Sequence, residues 1–119
     1  MSTAPRPPRG LGKSGKAQWN SVVQAYDLTA GEKGILLQVA RTADRLDAIA
    51  LALEGQPLTV VDRFGQDQTH PLVVEARQSS IALARLVAAL RLPDDAVDGE
   101  PGERPQRRGI RGVYSGASA

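Results

Sequence analysis

Apolar residues recur through the middle of the chain with the period of an α-helix. Leu36, Val39, Ala43, Leu46, Ala50 and Leu53 follow one another at alternating spacings of three and four, which puts them on one helical face. Ile35, Ala40 and Ile49 widen that stripe, while Glu32, Lys33, Arg41, Asp44, Arg45, Asp47 and Glu54 fill the remaining circumference. Thr29 followed by Glu32 has the capping-box form, in which each side chain satisfies a backbone N–H left over by the first turn. Gly55 and Pro57 supply the stop, the glycine accepting a left-handed C′ conformation and the proline unable to extend the ladder.

A second helix is predicted from Pro71, whose missing N–H would have had no partner in a first turn, to about Leu92-Pro93. Leu72, Ala76, Leu83, Leu86 and Leu90 share a side, yet Arg85 is the only charge between Ile81 and Leu90. A helix so apolar calls for burial on more than one side, and one hairpin partner covers only one. The expected cover is a second copy of the chain, with Ile81, Leu83, Leu86, Val87 and Leu90 at the oligomer interface; the short helix ahead of the pair is the alternative.

That short helix carries Trp19, Val22, Val23 and Tyr26 at i, i+3, i+4 and i+7, a face suited to lie across the hairpin, with Trp19 as a packing anchor. Between the long helices, Leu58 to Val61 is β-branched, Phe64-Gly65 marks a tip, and Gln66 to Thr69 can return antiparallel. Two strands alone are marginal in water, so this excursion is expected to lean on a neighbour or to move. The fold class is therefore mainly α: an antiparallel helical hairpin with a short N-terminal helix, a small β-hairpin or loop between the long helices, and flexible tails.

Composition divides the 119 residues into a flexible basic arm (1–15), a helical oligomerisation domain (16–93) and a disordered acidic-then-basic tail (94–119). A core of that size often needs support, and with no cysteine and one histidine neither disulfides nor a Cys/His zinc site can provide it. Self-association remains. No segment approaches the ~20 apolar residues of a membrane span, and the start of the chain lacks a signal-peptide core, so the expected compartment is the cytoplasm.

Net charge is only +2, but it is unevenly placed. Residues 1–16 carry Arg6, Arg9, Lys13 and Lys16 without an acid; Asp94, Asp95, Asp98, Glu100 and Glu103 form a stretch without a base; Arg104, Arg107, Arg108 and Arg111 follow without an acid. Arginine in Gly/Pro-rich context neutralises phosphates without reading sequence, and the acidic stretch is placed to act as a brake on such binding. Gly10 to Lys16 has the glycine and lysine spacing of a phosphate-binding loop, but Ala17 offers no hydroxyl for magnesium and residues 1–9 cannot form the strand that aims such a loop. The acidic stretch lacks the rigidity that a metal site needs. His70, directly before Pro71, suits the start of a helix and has no nucleophilic set around it. Neither catalysis nor a cofactor is expected.

In its order of features the chain resembles the small subunit of phage terminases, over roughly residues 10–114. The carriers are a Gly-Lys pair before Trp19, Tyr26-Asp27-Leu28, Glu32 with Leu36-Leu37, and Ala43-Asp44-Arg45-Leu46-Asp47. Gly65, His70-Pro71, Glu75-Ala76-Arg77-Gln78, Leu83-Ala84-Arg85-Leu86, Leu92-Pro93, Arg107-Arg108-Gly109, Arg111-Gly112 and Tyr114 continue the set. The resemblance implies a non-catalytic, ring-forming component in the bacterial host cytoplasm that engages double-stranded viral DNA and delivers it to the terminase large subunit. It departs from many small terminases in lacking a recognisable helix-turn-helix, so DNA contact is assigned to both tails, helped by Arg41 and Arg45. A phage-encoded transcriptional regulator and an oligomeric interaction scaffold are the alternatives.

Overall fold

A computed structural model describes residues 4–92. In it α1 (Lys13–Ala25), α2 (Ala30–Leu53), β1 (Thr59–Val61), β2 (Asp67–Thr69) and α3 (Pro71–Leu90) follow in order. The chain is mainly helical, with α2 and α3 forming an antiparallel hairpin and the two strands an antiparallel ribbon at its far end. The acidic stretch and the basic tail beyond it lie outside the described residues.

α2 starts and stops where its signals stand. The Thr29 hydroxyl accepts from Glu32 N–H at 3.1 Å, and the Glu32 carboxylate accepts from Thr29 N–H at 2.8 Å, closing the box. Gly55 takes φ +72, a value that costs any residue with a Cβ, and the chain leaves the helix there. The 24 residues between give a rod about 36 Å long. α3 begins on His70, whose Nδ1 accepts from Leu72 N–H at 3.0 Å, with Pro71 following. It stops at Leu90, where Arg91 turns left-handed at φ 51.

The core joins Leu36, Val39 and Ala40 of α2 to Trp19 and Val23 of α1, Leu90 of α3, and Leu11 ahead of α1. α1 runs antiparallel to α2, since its start meets residues 40–47 while its end joins α2 through a short link. Being flanked by helices on both sides changes the buried arc of α2: Ile49 and Thr42 are buried, whereas Ala50, a member of the predicted stripe, is exposed. Thr42 satisfies its hydroxyl on the carbonyl of Gln38 at 2.7 Å, and buried Ser79 of α3 donates to Glu75 at 3.1 Å. Neither polar residue is left unpaired in the interior.

Two expectations need correction. The N-terminal arm is packed rather than flexible from residue 4 onward: Leu11 is buried, Ala4 rests on the core, the Trp19 indole N–H donates to the carbonyl of Pro5 at 3.0 Å, and α1 already begins at Lys13. Prolines enter such a path with little chain entropy left to lose, and a tryptophan wider than α2 can cover offers them a surface. The second correction concerns α3. Leu90 is 1 % exposed inside its own chain's core, so it cannot meet a second copy, and Leu83 and Leu86 are half-buried against that core. Ile81 (48 % exposed) and Val87 (44 % exposed) are what α3 leaves open, because α1 packs along α2 and not over them.

Candidate nucleic-acid interface

α1 is an unusual helix at its start. Gly12 at the N-cap position has no side chain to cap with, and the first turn carries no acid. The cap comes instead from α2. Asp44 accepts from Gly12 N–H through Oδ2 and from Gly15 N–H through Oδ1, both at 2.7 Å, and the next acid along that face, Asp47, accepts from the Ser14 hydroxyl. A carboxylate on otherwise orphaned first-turn N–H groups is favoured by both hydrogen bonding and the helix dipole. Close approach demands the glycine at 15: a Cβ there would stand 2.9 Å from the backbone oxygen of Ala40, besides striking the Asp44 carboxylate.

The near-match to a phosphate-binding loop is thereby explained. The N–H groups that would cradle a phosphate are occupied by a carboxylate of the same chain, and the Gly-x-x-Gly spacing serves helix–helix contact.

This clamp sets the cations. Lys13 and Lys16 neighbour the clamped glycines in sequence; Arg41 and Arg45, one helical turn apart, neighbour Ala40 and Asp44, which receive them. Arg6 and Arg9 sit on the ordered arm leading into α1. All six side chains are exposed, and among the described residues none makes a side-chain hydrogen bond or ion pair. The acids nearest in sequence to the clamp, Asp44 and Asp47, already serve α1. The contact of Gly12 and Gly15 with Ala40 and Asp44 thus sets the segments that carry Lys13, Lys16, Arg41 and Arg45 against each other, a juxtaposition the sequence did not disclose, while Arg6 and Arg9 lie on the arm ahead of α1. Arg104, Arg107, Arg108 and Arg111 lie outside the described residues.

Asp44 and Asp47 are the residues that sequence reasoning missed, having been read as solvated circumference. Their signal was a pair of acids at i, i+3 on the first long helix together with a stretch of glycines and a serine without an acid just ahead of the Trp19 helix, but that stretch was assigned to the flexible arm and not to a helix start.

A second polar cluster closes the β-hairpin. Asp62 accepts from Phe64 N–H at 2.8 Å, Gln66 N–H at 2.9 Å and the Gln68 side chain at 3.1 Å. The Gln66 N–H foremost, aided by Phe64 and Gln68 and opposed by desolvation, holds this carboxyl below its ordinary range. The tip presents Phe64, 74 % exposed, with the Arg63 guanidinium 5.0 Å from its ring centre. Leu51, Leu58 and Val61 are also exposed at this end, so apolar surface gathers around the β-hairpin.

Among the described residues no group of three or more His, Asp or Glu is placed to hold a metal ion, and no helix is long and apolar enough to cross a membrane. No family model, curated protein or solved structure matches the chain.

Proposed function

We infer that the chain is a non-catalytic, DNA-binding packaging component of the phage terminase small-subunit kind, which engages duplex viral DNA through phosphate contacts and hands it to a large motor subunit. The observation that carries this reading is the set of six exposed cations on the arm, α1 and α2 that have no ion-pair partner among the described residues. Phosphates are their natural complement, because each charge-assisted contact releases a condensed counterion without needing a base edge. The arginines 104–111 add to the same chemistry from the sequence alone. Copies assemble through the side of α3 that carries Ile81 and Val87, which gives a ring or shorter oligomer several such basic faces and multiplies their hold on one duplex.

Titration of labelled duplexes across a salt series tests the reading. Affinity for random duplex should fall with a log–log slope of about −0.9 per phosphate neutralised. Replacing Lys13, Lys16, Arg41 and Arg45 together by alanine should flatten that slope and weaken all sequences alike. Absence of binding at low salt would overturn the assignment. The exposed Phe64, Leu58 and Val61 suit an interaction scaffold as well, and a chain that ignored DNA while self-associating would belong to that class.

A further inference from the structure

The described chain ends at Leu92, on the core that the arm, α1 and α2 share. Leu90 is buried in the same cluster as Leu11, and Leu92 and Ala4 both rest on that cluster, so the segment that follows Leu92 is tethered to the core from which α1 and the arm extend. The segment 94–103 then carries Asp94, Asp95, Asp98, Glu100 and Glu103 and no base. Fully extended it spans about 33 Å, enough to run the length of α1, whose 13 residues rise about 20 Å. The cations it can reach have no ion pair among the described residues, and the acids beside them are committed to α1.

We propose that segment 94–103 docks on the basic face of its own chain formed by the N-terminal arm, α1 and α2, and so competes with duplex DNA for the same cations. Tethering raises the local concentration of the acidic segment to the millimolar range, so weak contacts suffice to hold it. DNA, with its far denser charge, displaces the segment, whereas isolated or short anions do not. The face is thereby shielded from indiscriminate polyanions until a long duplex is offered. Docking itself stands on charge and chain path; competition with DNA rests on the function inferred above.

Both halves are tested on the full chain carrying Asp94→Asn, Asp95→Asn, Asp98→Asn, Glu100→Gln and Glu103→Gln, changes that leave every residue of α1, α2 and α3 as it is. Without DNA, the backbone amides of Lys13, Lys16, Arg41 and Arg45 should shift between the two proteins at low salt and coincide at high salt, where screening undoes the contact. With random duplex, the neutralised protein should bind roughly tenfold tighter at low salt, the gap closing as salt rises. Identical spectra at low salt would overturn the docking, leaving the acids to the arginines that follow them in sequence. Shifted spectra with equal DNA affinities would overturn the competition. Shifted spectra with no DNA binding by either protein would leave docking standing and remove the packaging role.

Discussion

Replacing Asp44 by alanine should release the start of α1. The change deletes the acceptor of two 2.7 Å hydrogen bonds. Gly12 is exposed, so water takes over its N–H and the loss sits near the low end for an N-cap, about 0.5 kcal/mol. Gly15 is buried, and an N–H orphaned there costs about 1–3 kcal/mol. Alanine returns roughly 0.5 kcal/mol of helix propensity to α2. The net destabilisation is about 1–3 kcal/mol, which for a domain of this size lowers the melting temperature by roughly 5–20 °C. Asp44→Asn keeps one carbonyl acceptor and should fall between wild type and alanine. Asp47→Ala, which removes only an exposed contact to Ser14, should stay within about 0.5 kcal/mol. Urea unfolding gives the energies, and hydrogen exchange at Gly15 locates them. An Asp44→Ala chain with an unchanged midpoint and an unchanged Gly15 exchange rate would refute the clamp.

Gly15→Ala should be worse than Asp44→Ala despite alanine's better propensity, because the new Cβ meets the Ala40 carbonyl oxygen at 2.9 Å and backbone cannot step aside; thermal melts decide the order. Thr29→Ala should cost about 1 kcal/mol through the lost capping box, read from the urea midpoint. Because the folded pKa of Asp62 is depressed, its stabilisation of the hairpin is fully present above the unfolded value and is lost as pH falls through the folded one. The amide shifts of Phe64 and Gln66 should therefore hold through mild acid and move only below the ordinary carboxylate range, and Asp62→Asn should abolish that transition. Ile81→Asp with Val87→Asp should leave the monomer folded, both side chains being about half exposed, while abolishing self-association in sedimentation; retained oligomers would move the interface elsewhere.

Much of the fold was legible one residue type at a time. Period, caps and breakers are local properties, so Thr29 with Glu32, Gly55, and His70 with Pro71 mark helix ends wherever the rest of the chain goes. The excursion between the long helices was legible as a hairpin or a loop for the same reason, its turn and its β-branched run being neighbours in sequence, and the pairing of β1 with β2 decides for the hairpin. Trp19 announced itself as an anchor through its spacing with Val22, Val23 and Tyr26.

What no local rule contains is which helix lies against which. That choice decided that α1 packs on α2, that Asp44 turns from a solvated acid into the cap of another helix, and that Ala50 is exposed while Ile49 is buried. It also decided that Leu90 belongs to the core instead of to a partner, that the arm from Ala4 is drawn onto Trp19, and that the segments carrying Lys13, Lys16, Arg41 and Arg45 are set against each other. Each depends on contacts between residues distant along the chain. Periodicity gives the direction in which a side chain leaves its own helix, but not what stands there to receive it.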